Sequence, residues 1–405
     1  MNPHLSASDV PRGFTFAATH CGLKRSRLDL GILISETPAA AAAVFTTNQV
    51  VAAPVIASRE HLRKARHKMR GVIVNSGNAN CCTREDGYPA SVAAASKLAA
   101  EMGGLDRTQF LVCSTGVIGA PLRVEKILQA VPDLVGARSA DSGAFEEFAR
   151  AIMTTDTRPK WANAQCRIGG KPVRVLGCAK GSGMIHPNMA TMLAFLATDA
   201  AISPALLSRA LRAAVGPTFN SITVDGDTST NDTVTVLANG QSGAPAIEGV
   251  KSAGYKSFCA ALQDVCRSLA LAIVEDGEGA QRVIEIEVHG APSDRAASQL
   301  ARTVANSPLV KTAFAGADPN WGRILAAAGR SGVHFDPERT NISIAGIPVC
   351  RGGREHTFDE AATHEKMLEK YVTVRLDLHS GRGSARVWTC DFTQEYIHIN
   401  ASYRT

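Results

Sequence analysis

Lys180-Gly-Ser-Gly-Met-Ile-His-Pro-Asn-Met-Ala190-Thr191-Met-Leu-Ala-Phe195 is a glycine-rich turn and a proline that lead into a small-then-hydroxyl pair, Ala190-Thr191. The pair stands at the mouth of an apolar run, Met192 to Leu196. A threonine hydroxyl is a weak nucleophile unless a base sits beside it. Cutting the chain just before the threonine supplies one, because the freed α-amine of that residue can take the role. On that reading the chain is an enzyme precursor that cuts itself in two. By spacing alone, Thr191 reads as an ordinary helix N-cap or strand start. The case for chemistry rests on the company it keeps.

Ser114-Thr115-Gly116 follows a strand-like segment and could aim backbone or hydroxyl donors at an oxyanion. Glu278 stands between two glycines, an acidic group on exposed backbone that suits an ammonium. Lys180 is a cation eleven residues before the candidate nucleophile and suits a carboxylate. Nucleophile, oxyanion donors and a plus–minus pair for a zwitterion are together the parts of acyl transfer on an amino acid.

Composition narrows the class. With 405 residues, 45% hydrophobic and 20% charged, the chain can bury a substantial core and is expected to hold more than one lobe. The net charge of +6 is spread out, with no basic tail or stripe to suggest nucleic acid, and suits anionic metabolites equally well. No segment is expected to approach the length of a membrane span, and Met1-Asn-Pro-His lacks the start of a signal peptide. The ten cysteines, at 21, 81, 82, 113, 166, 178, 259, 266, 350 and 390, form no C-x-x-C pair. They read as reduced core thiols of a cytoplasmic protein.

Strand-like and helix-like segments alternate. Gly71 to Val74 is a short buried strand running into a polar loop, Asn75 to Asn80, and Phe110 to Cys113 is another, ending at Ser114 to Gly119. Helices are expected over Ser91 to Met102, Phe145 to Met153, Pro204 to Val215 and Tyr255 to Val274. Thr154-Thr-Asp-Thr157 is the polar exit of the second of these. Val283 to Val288 and Tyr371 to Leu378 alternate with period two, as half-wet strands do. The fold class is α/β (α+β), with mixed sheets covered by helices.

Several loops carry a bland answer. Lys180-Gly-Ser-Gly lacks the P-loop order. Asp225 to Asp232 resembles the opening of a calcium loop, but has Thr230 at the glycine position and Val236 where the bidentate glutamate belongs, so it reads as a hydrogen-bonded turn. No H-E-x-x-H supports zinc. His186 could be a base, but a lone histidine in such a loop is more often a packing residue.

Nearly end to end, the chain resembles the ArgJ family of glutamate N-acetyltransferases and ornithine acetyltransferases of arginine biosynthesis. The motifs are Gly13-Phe, Val74-Asn-Ser-Gly-Asn-Ala-Asn80, Ser114 to Gly119, Thr154 to Thr157, Ala179 to Leu193, Asp276-Gly-Glu-Gly279, Asp318-Pro-Asn-Trp-Gly-Arg323 and Asn400-Ala-Ser-Tyr-Arg-Thr405. The resemblance implies a layered fold shared with self-cleaving aminopeptidases, with mixed sheets packed between helices. It implies cleavage into an α chain, 1–190, ending at Ala190, and a β chain, 191–405, starting at the nucleophile Thr191. Two copies of each would form an α2β2 assembly. Thr115 and Gly116 match the oxyanion hole; Thr154 (or a neighbour in that tetrad), Lys180, Thr191, Glu278, Asn400 and Thr405 match substrate-binding positions. No metal or resident cofactor is implied; acetyl-CoA can enter only as a substrate beside N-acetylornithine and glutamate. Arg84 stands where the family usually has glycine, and Arg123 where proline is common. The rivals are a self-processing aminopeptidase of the related fold, against which Lys180 and Glu278 speak, and a non-catalytic binding protein.

Overall fold

The computed structural model describes residues 5–186 and 192–402. Ala190, Thr191 and Thr405 therefore lie outside the described residues. The chain divides into two compact units. The first comprises Met1–Gly181, Asn188–Asn220 and Thr228–Ile273; the second comprises Ser182–Pro187, Ser221–Asp227 and Val274–Thr405.

The first unit holds one mixed eight-stranded sheet. Its strands are β1 (Phe14–Thr19), β2 (Leu30–Phe45), β3 (Lys68–Asn78), β4 (Phe110–Val117), β5 (Lys160–Ile168), β6 (Lys171–Lys180), β7 (Leu193–Thr198) and β8 (Thr233–Ala238). The order is β4-β3-β2-β8-β7-β6-β5, with β1 paired to β2. Strands β3 and β4 are parallel, as are β7 and β8, while β6 and β7 are antiparallel. The apolar run after the junction is therefore a strand over Leu193–Thr198. Leu193 to Thr198 are all buried, because β7 has a neighbour on each side and is covered on both faces.

Helices α1 (Ala53–Lys64), α2 (Gly87–Glu101), α3 (Val124–Gly136), α4 (Ser142–Ala151), α5 (Pro204–Val215) and most of α6 (Ala253–Glu275) belong to the same unit. Successive residues of β2 feed two different cores. Leu30, Ile32 and Ile34 join Leu98 of α2 and Val131 of α3, whereas Leu33 joins Phe145 and Phe148 of α4 and Phe195 of β7. The rings of Phe148 and Phe195 meet edge-on at 5.5 Å. Each such side chain contributes about 1.5–3 kcal/mol when fully buried. The alanine run Ala39 to Ala43 lies in β2, against its local preference, because β3 and β8 take up its backbone hydrogen bonds.

The second unit carries a six-stranded sheet built from β9 (Val283–Ala291), β10 (Asn341–Ile344), β11 (Ile347–Arg351), β12 (Arg354–Glu355), β13 (Tyr371–Asp377) and β14 (Gly383–Cys390). Its order is β12-β11-β10-β13-β9-β14, with β9 and β13 parallel. Helices α7 (Asp294–Ala305), α8 (Pro308–Ala315) and α9 (Trp321–Gly329) supply Leu300, Phe314 and Ile324 to its core. Helix α10 (Glu360–Met367) adds Met367, and α11 (Gln394–Ala401) ends the described chain's helical structure.

Three expectations need correcting. The polar stretches after Val74 and Cys113 are not loops at their start: the parallel ladder runs on through Asn75↔Ser114 and Ser76↔Thr115 to a bulge at Gly77 and Asn78. Helix α6, 23 residues long, is long and apolar enough to cross a membrane by length and composition. Half of its apolar window is buried inside the protein, however, and Leu269 packs beside Gly177 of β6. The thiols are all free and six are buried, but Cys82 is exposed rather than part of the core.

Arg84 has a physical explanation: its φ is 51°, in the left-handed region that glycine enters freely. Asn80 and Cys82 share that conformation, at φ 47° and 57°. Left-handed backbone costs an ordinary residue about 1–2 kcal/mol. Arg84→Gly should therefore raise stability by up to about 1 kcal/mol, seen as a higher urea midpoint with an unchanged slope. A lowered midpoint would show that the arginine's contacts outweigh the strain.

Candidate active site

In the first unit the site begins with strand register. Antiparallel pairing of β6 with β7 sets Lys180 opposite Leu193, two residues beyond Thr191. Lys180 is 5% exposed, and its Nζ donates to Thr115 Oγ1 at 3.1 Å. Two residues 65 apart in sequence, both singled out above, are thus brought together.

A charged side chain this deep in the protein needs compensation. Asp156, at 0% side-chain exposure, supplies it: its Oδ1 accepts from Lys160 Nζ at 2.6 Å and from the Gly181 N–H at 2.8 Å. Its Oδ2 accepts from the Thr154 N–H at 2.9 Å, which is how the Thr154–Thr157 tetrad joins the cluster. Burial alone would raise the Asp156 pKa, but the Lys160 and Lys180 ammoniums outweigh it and hold the carboxyl below its usual range. Asp156 thus stands between two cations. Lys24 adds to that field; its Nζ donates to the carbonyls of Leu28 and Met153, and burial, helped by Arg27, pushes its ammonium down to about 8.

The oxyanion-hole candidates sit at the end of β4. Gly116 has φ 133°, and a Cβ there would lie 2.3 Å from the backbone carbon of Gly77. Only glycine lets the two strand ends approach this closely. The polar side chains around it are bonded to one another. Ser114 Oγ donates to Asn75 Oδ1 at 2.6 Å, and Asn75 and Asn78 donate to the carbonyls of Asn78 and of Ala120 and Pro121.

Residues the sequence reading took for a mere turn complete this cluster. Asn231 Nδ2 donates to Ala79 O at 2.7 Å and to Ser114 O at 2.9 Å. The Asp232 Oδ1 accepts from the Met192 N–H at 3.0 Å, and the Thr233 N–H donates to Met192 O at 3.0 Å. The residue that follows Thr191 is therefore gripped on both its amide and its carbonyl. The signal available in sequence was only a run of small polar residues before β8.

The second unit assembles a separate group. Glu278, 6% exposed, accepts from Asn400 Nδ2 at 2.7 Å, and its N–H donates to Ser182 O at 2.9 Å. Asn400 comes from α11, whose first turn approaches Gly279 so closely that a Cβ there would meet the Tyr396 nitrogen at 2.6 Å. Asp391, fully buried, bonds the amides of Gln281 and Arg282 and so fixes the chain just after Glu278. Asp225 accepts from the N–H groups of Met184 and Ile185, as a structural turn does; burial raises its pKa. His186 Nδ1 lies 3.2 Å from Asn306 Nδ2, and burial lowers its pKa. Among the described residues no three His, Cys, Asp or Glu side chains converge as metal ligands.

A model described as the ArgJ family matches residues 15–405. The chain belongs to the ArgJ family. It is 48% identical over 400 residues to the arginine biosynthesis bifunctional protein ArgJ of Thermotoga neapolitana, covering 98% of this chain and 100% of that protein. It is 47% identical over 406 residues to the bifunctional ArgJ of Chlorobaculum tepidum, covering 100% of this chain and 98% of that one. Among solved structures it resembles the arginine biosynthesis bifunctional protein ArgJ of Bacillus halodurans, with a TM-score of 0.50 and 42% identity. That likeness covers 52% of this chain and 98% of the other. ArgJ membership accounts for the motifs on which the resemblance was drawn.

Two substitutions check the first unit's geometry. Asp156→Asn leaves two buried ammoniums without their carboxylate and should cost about 3–5 kcal/mol in urea unfolding, as loss of one partner of a buried pair does. Gly116→Ala forces the strand ends apart and should cost about 1–3 kcal/mol, as overpacking does.

Proposed function

We infer that this protein is the acetyltransferase of arginine biosynthesis that moves an acetyl group from N-acetylornithine to glutamate. What supports this most is the pairing of Lys180 with Thr115 beside the buried Asp156–Lys160 ion pair, in a chain of the ArgJ family. Donor and acceptor both carry an α-carboxylate and an α-nitrogen, and differ in side-chain charge. A buried cation suits the carboxylate they share.

The precursor first processes itself. The Thr191 hydroxyl attacks the carbonyl of Ala190, and hydrolysis of the resulting ester frees the Thr191 α-amine. That amine, with a pKa near ~8 in model peptides, accepts the adjacent hydroxyl's proton near neutral pH. Thr191 then takes acetyl from N-acetylornithine, ornithine leaves, and glutamate collects the acetyl on its α-amine in a ping-pong cycle. Thr115 and Gly116 stabilise the oxyanion at each acyl transfer; one such donor is worth about 10²–10³ in rate. Glu278 and Asn400, joined by a hydrogen bond, and Thr154, Thr191 and Thr405 complete the substrate contacts.

The two products remain together as α2β2 in the cytoplasm, without a resident cofactor. Acetyl-CoA serves as a second donor to glutamate; support for this is that relatives 47–48% identical are named bifunctional.

A denaturing gel of purified protein should show two bands, the second beginning at Thr191. Thr191→Ala should stay intact and inactive, whereas Thr191→Ser should retain some cleavage. An intact wild-type chain with full acetyl transfer would overturn the mechanism. Assays with N-acetylornithine plus glutamate, and with acetyl-CoA plus glutamate, should both give N-acetylglutamate; failure of the second alone removes only the second donor.

A further inference from the structure

Between Asn80 and Arg84 alternate residues are left-handed: φ is 47° at Asn80, 57° at Cys82 and 51° at Arg84. Successive side chains of an extended chain point to opposite faces. Here the backbone turns between them, and the sulfurs of the neighbours Cys81 and Cys82 lie 3.8 Å apart. The two thiols differ in access. Cys81 is 1% exposed and packs with Ala52, Val55 and Ala79. Cys82 is the one exposed thiol among the described residues. Burial pushes the Cys81 thiol up, against the pull of the Thr230 side chain, so it stays protonated near neutral pH.

The loop that carries this pair is tied to the exit of β4. The Gly119 N–H donates to Cys81 O at 3.0 Å, and the Ala79 N–H donates to Val117 O at 3.0 Å. The peptide joining the two cysteines is thus bonded, through its carbonyl, to the segment that begins with Thr115 and Gly116. Disulfides usually span α-carbons about 4.4–6.8 Å apart, whereas neighbours across a trans peptide are only about 3.8 Å apart. That peptide has to turn for the sulfurs to bond, which takes Cys81 O away from Gly119. A bond closed in this way is easily reduced again.

We propose that Cys81 and Cys82 form a reversible disulfide by exchange with a low-molecular-weight disulfide, and that closing it reshapes the loop beside Thr115 and Gly116. Exchange begins at the accessible sulfur. The Cys82 thiolate attacks one sulfur of the incoming disulfide; a bond to Cys82 Sγ forms, the reagent's S–S bond breaks and one thiolate leaves. Cys81 Sγ then attacks Cys82 Sγ; the bond between the two cysteines forms, the mixed disulfide breaks and the second thiolate leaves. The two protons shed by the cysteines end on the two departing thiols. In sum, two cysteine thiols are oxidised by two electrons and one disulfide is reduced to two thiols. Transient disulfides of this kind are the ones that sense redox state in reducing compartments. Only the effect on acetyl transfer rests on the function proposed above.

The test incubates the native full chain with glutathione disulfide, blocks the remaining thiols with iodoacetamide and maps the peptides by mass spectrometry. In the wild type the peptide holding Cys81 and Cys82 should be unalkylated and two hydrogens lighter, and reduced glutathione should restore both thiols. Cys81→Ala should stop at a glutathione adduct on Cys82, and Cys82→Ser should take up nothing at either position. Ring closure should quicken as pH rises from about 7 to about 9, because Cys81 attacks as its thiolate. Amide hydrogen exchange at Gly119 should speed up in the oxidised wild type and stay unchanged in Cys82→Ser. Acetyl transfer from N-acetylornithine to glutamate should fall by up to about 10²-fold on oxidation, as when a catalytic group is misplaced by about an ångström, and return on reduction. Both variants should keep their activity before treatment. Wild type that keeps both thiols, or that holds a lasting glutathione adduct, overturns the disulfide. A closed ring with Gly119 exchange and activity unchanged overturns the reshaping. Reduced wild type without acetyl transfer overturns the proposed function and not this inference, which the thiol map and Gly119 exchange decide.

Discussion

The first unit depends on one topological constraint: β7 and β8, which follow the Ala190-Thr191 junction, lie in the middle of a sheet whose other strands precede it. β7 pairs with β6 and β8 pairs with β2, so the two sides of the junction share one hydrogen-bonded ladder. From that constraint the geometry follows. Lys180 is set against Leu193 by register, Met192 is held by Asp232 and Thr233, and Asn231 reaches back to Ala79 and to the residue before Thr115. None of these relations survives a shift of β7 by one residue, which would turn every buried side chain to the opposite face.

Around that ladder the first unit buries charge at a cost it offsets only in part. Asp156 compensates Lys160 and Lys180 with direct or through-space attraction, and its remaining acceptor positions are filled by backbone N–H groups. A designed core would replace such a cluster with hydrocarbon and gain stability. The second unit uses a milder device, a carboxylate–amide bond between Glu278 and Asn400 that needs no buried counter-charge.

Much of this was legible in sequence, and the failures are specific. Helix α5 was read at its observed limits because Pro204 opens it, and the structure adds a Ser203 cap. Strands β9 and β13 were read from their period, since each has one wet face. The stretches Asn75–Asn78 and Ser114–Val117 were misread as loops, because polar residues that bond one another across a parallel pair look like turn residues one strand at a time. The alanine run in β2 gave no strand signal, since its conformation is imposed by neighbours far along the chain. Among the residues singled out in sequence, Lys180 meets Thr115 and Glu278 meets Asn400, and which of them meet could not be read from spacing. Asn231 and Asp232 were passed over because their importance lies in what they touch.

The central placement of β7 also bears on how the protein can lose and regain its structure. An uncut chain folds as a single molecule. Were the chain divided at residue 191, as proposed, the same ladder would join two molecules, and its formation would become second order in concentration. A divided protein that had unfolded could not simply retrace the path by which its precursor folded. Its working lifetime would then be set by how slowly the sheet opens, so the packing of β7 and β8 would serve persistence as well as geometry.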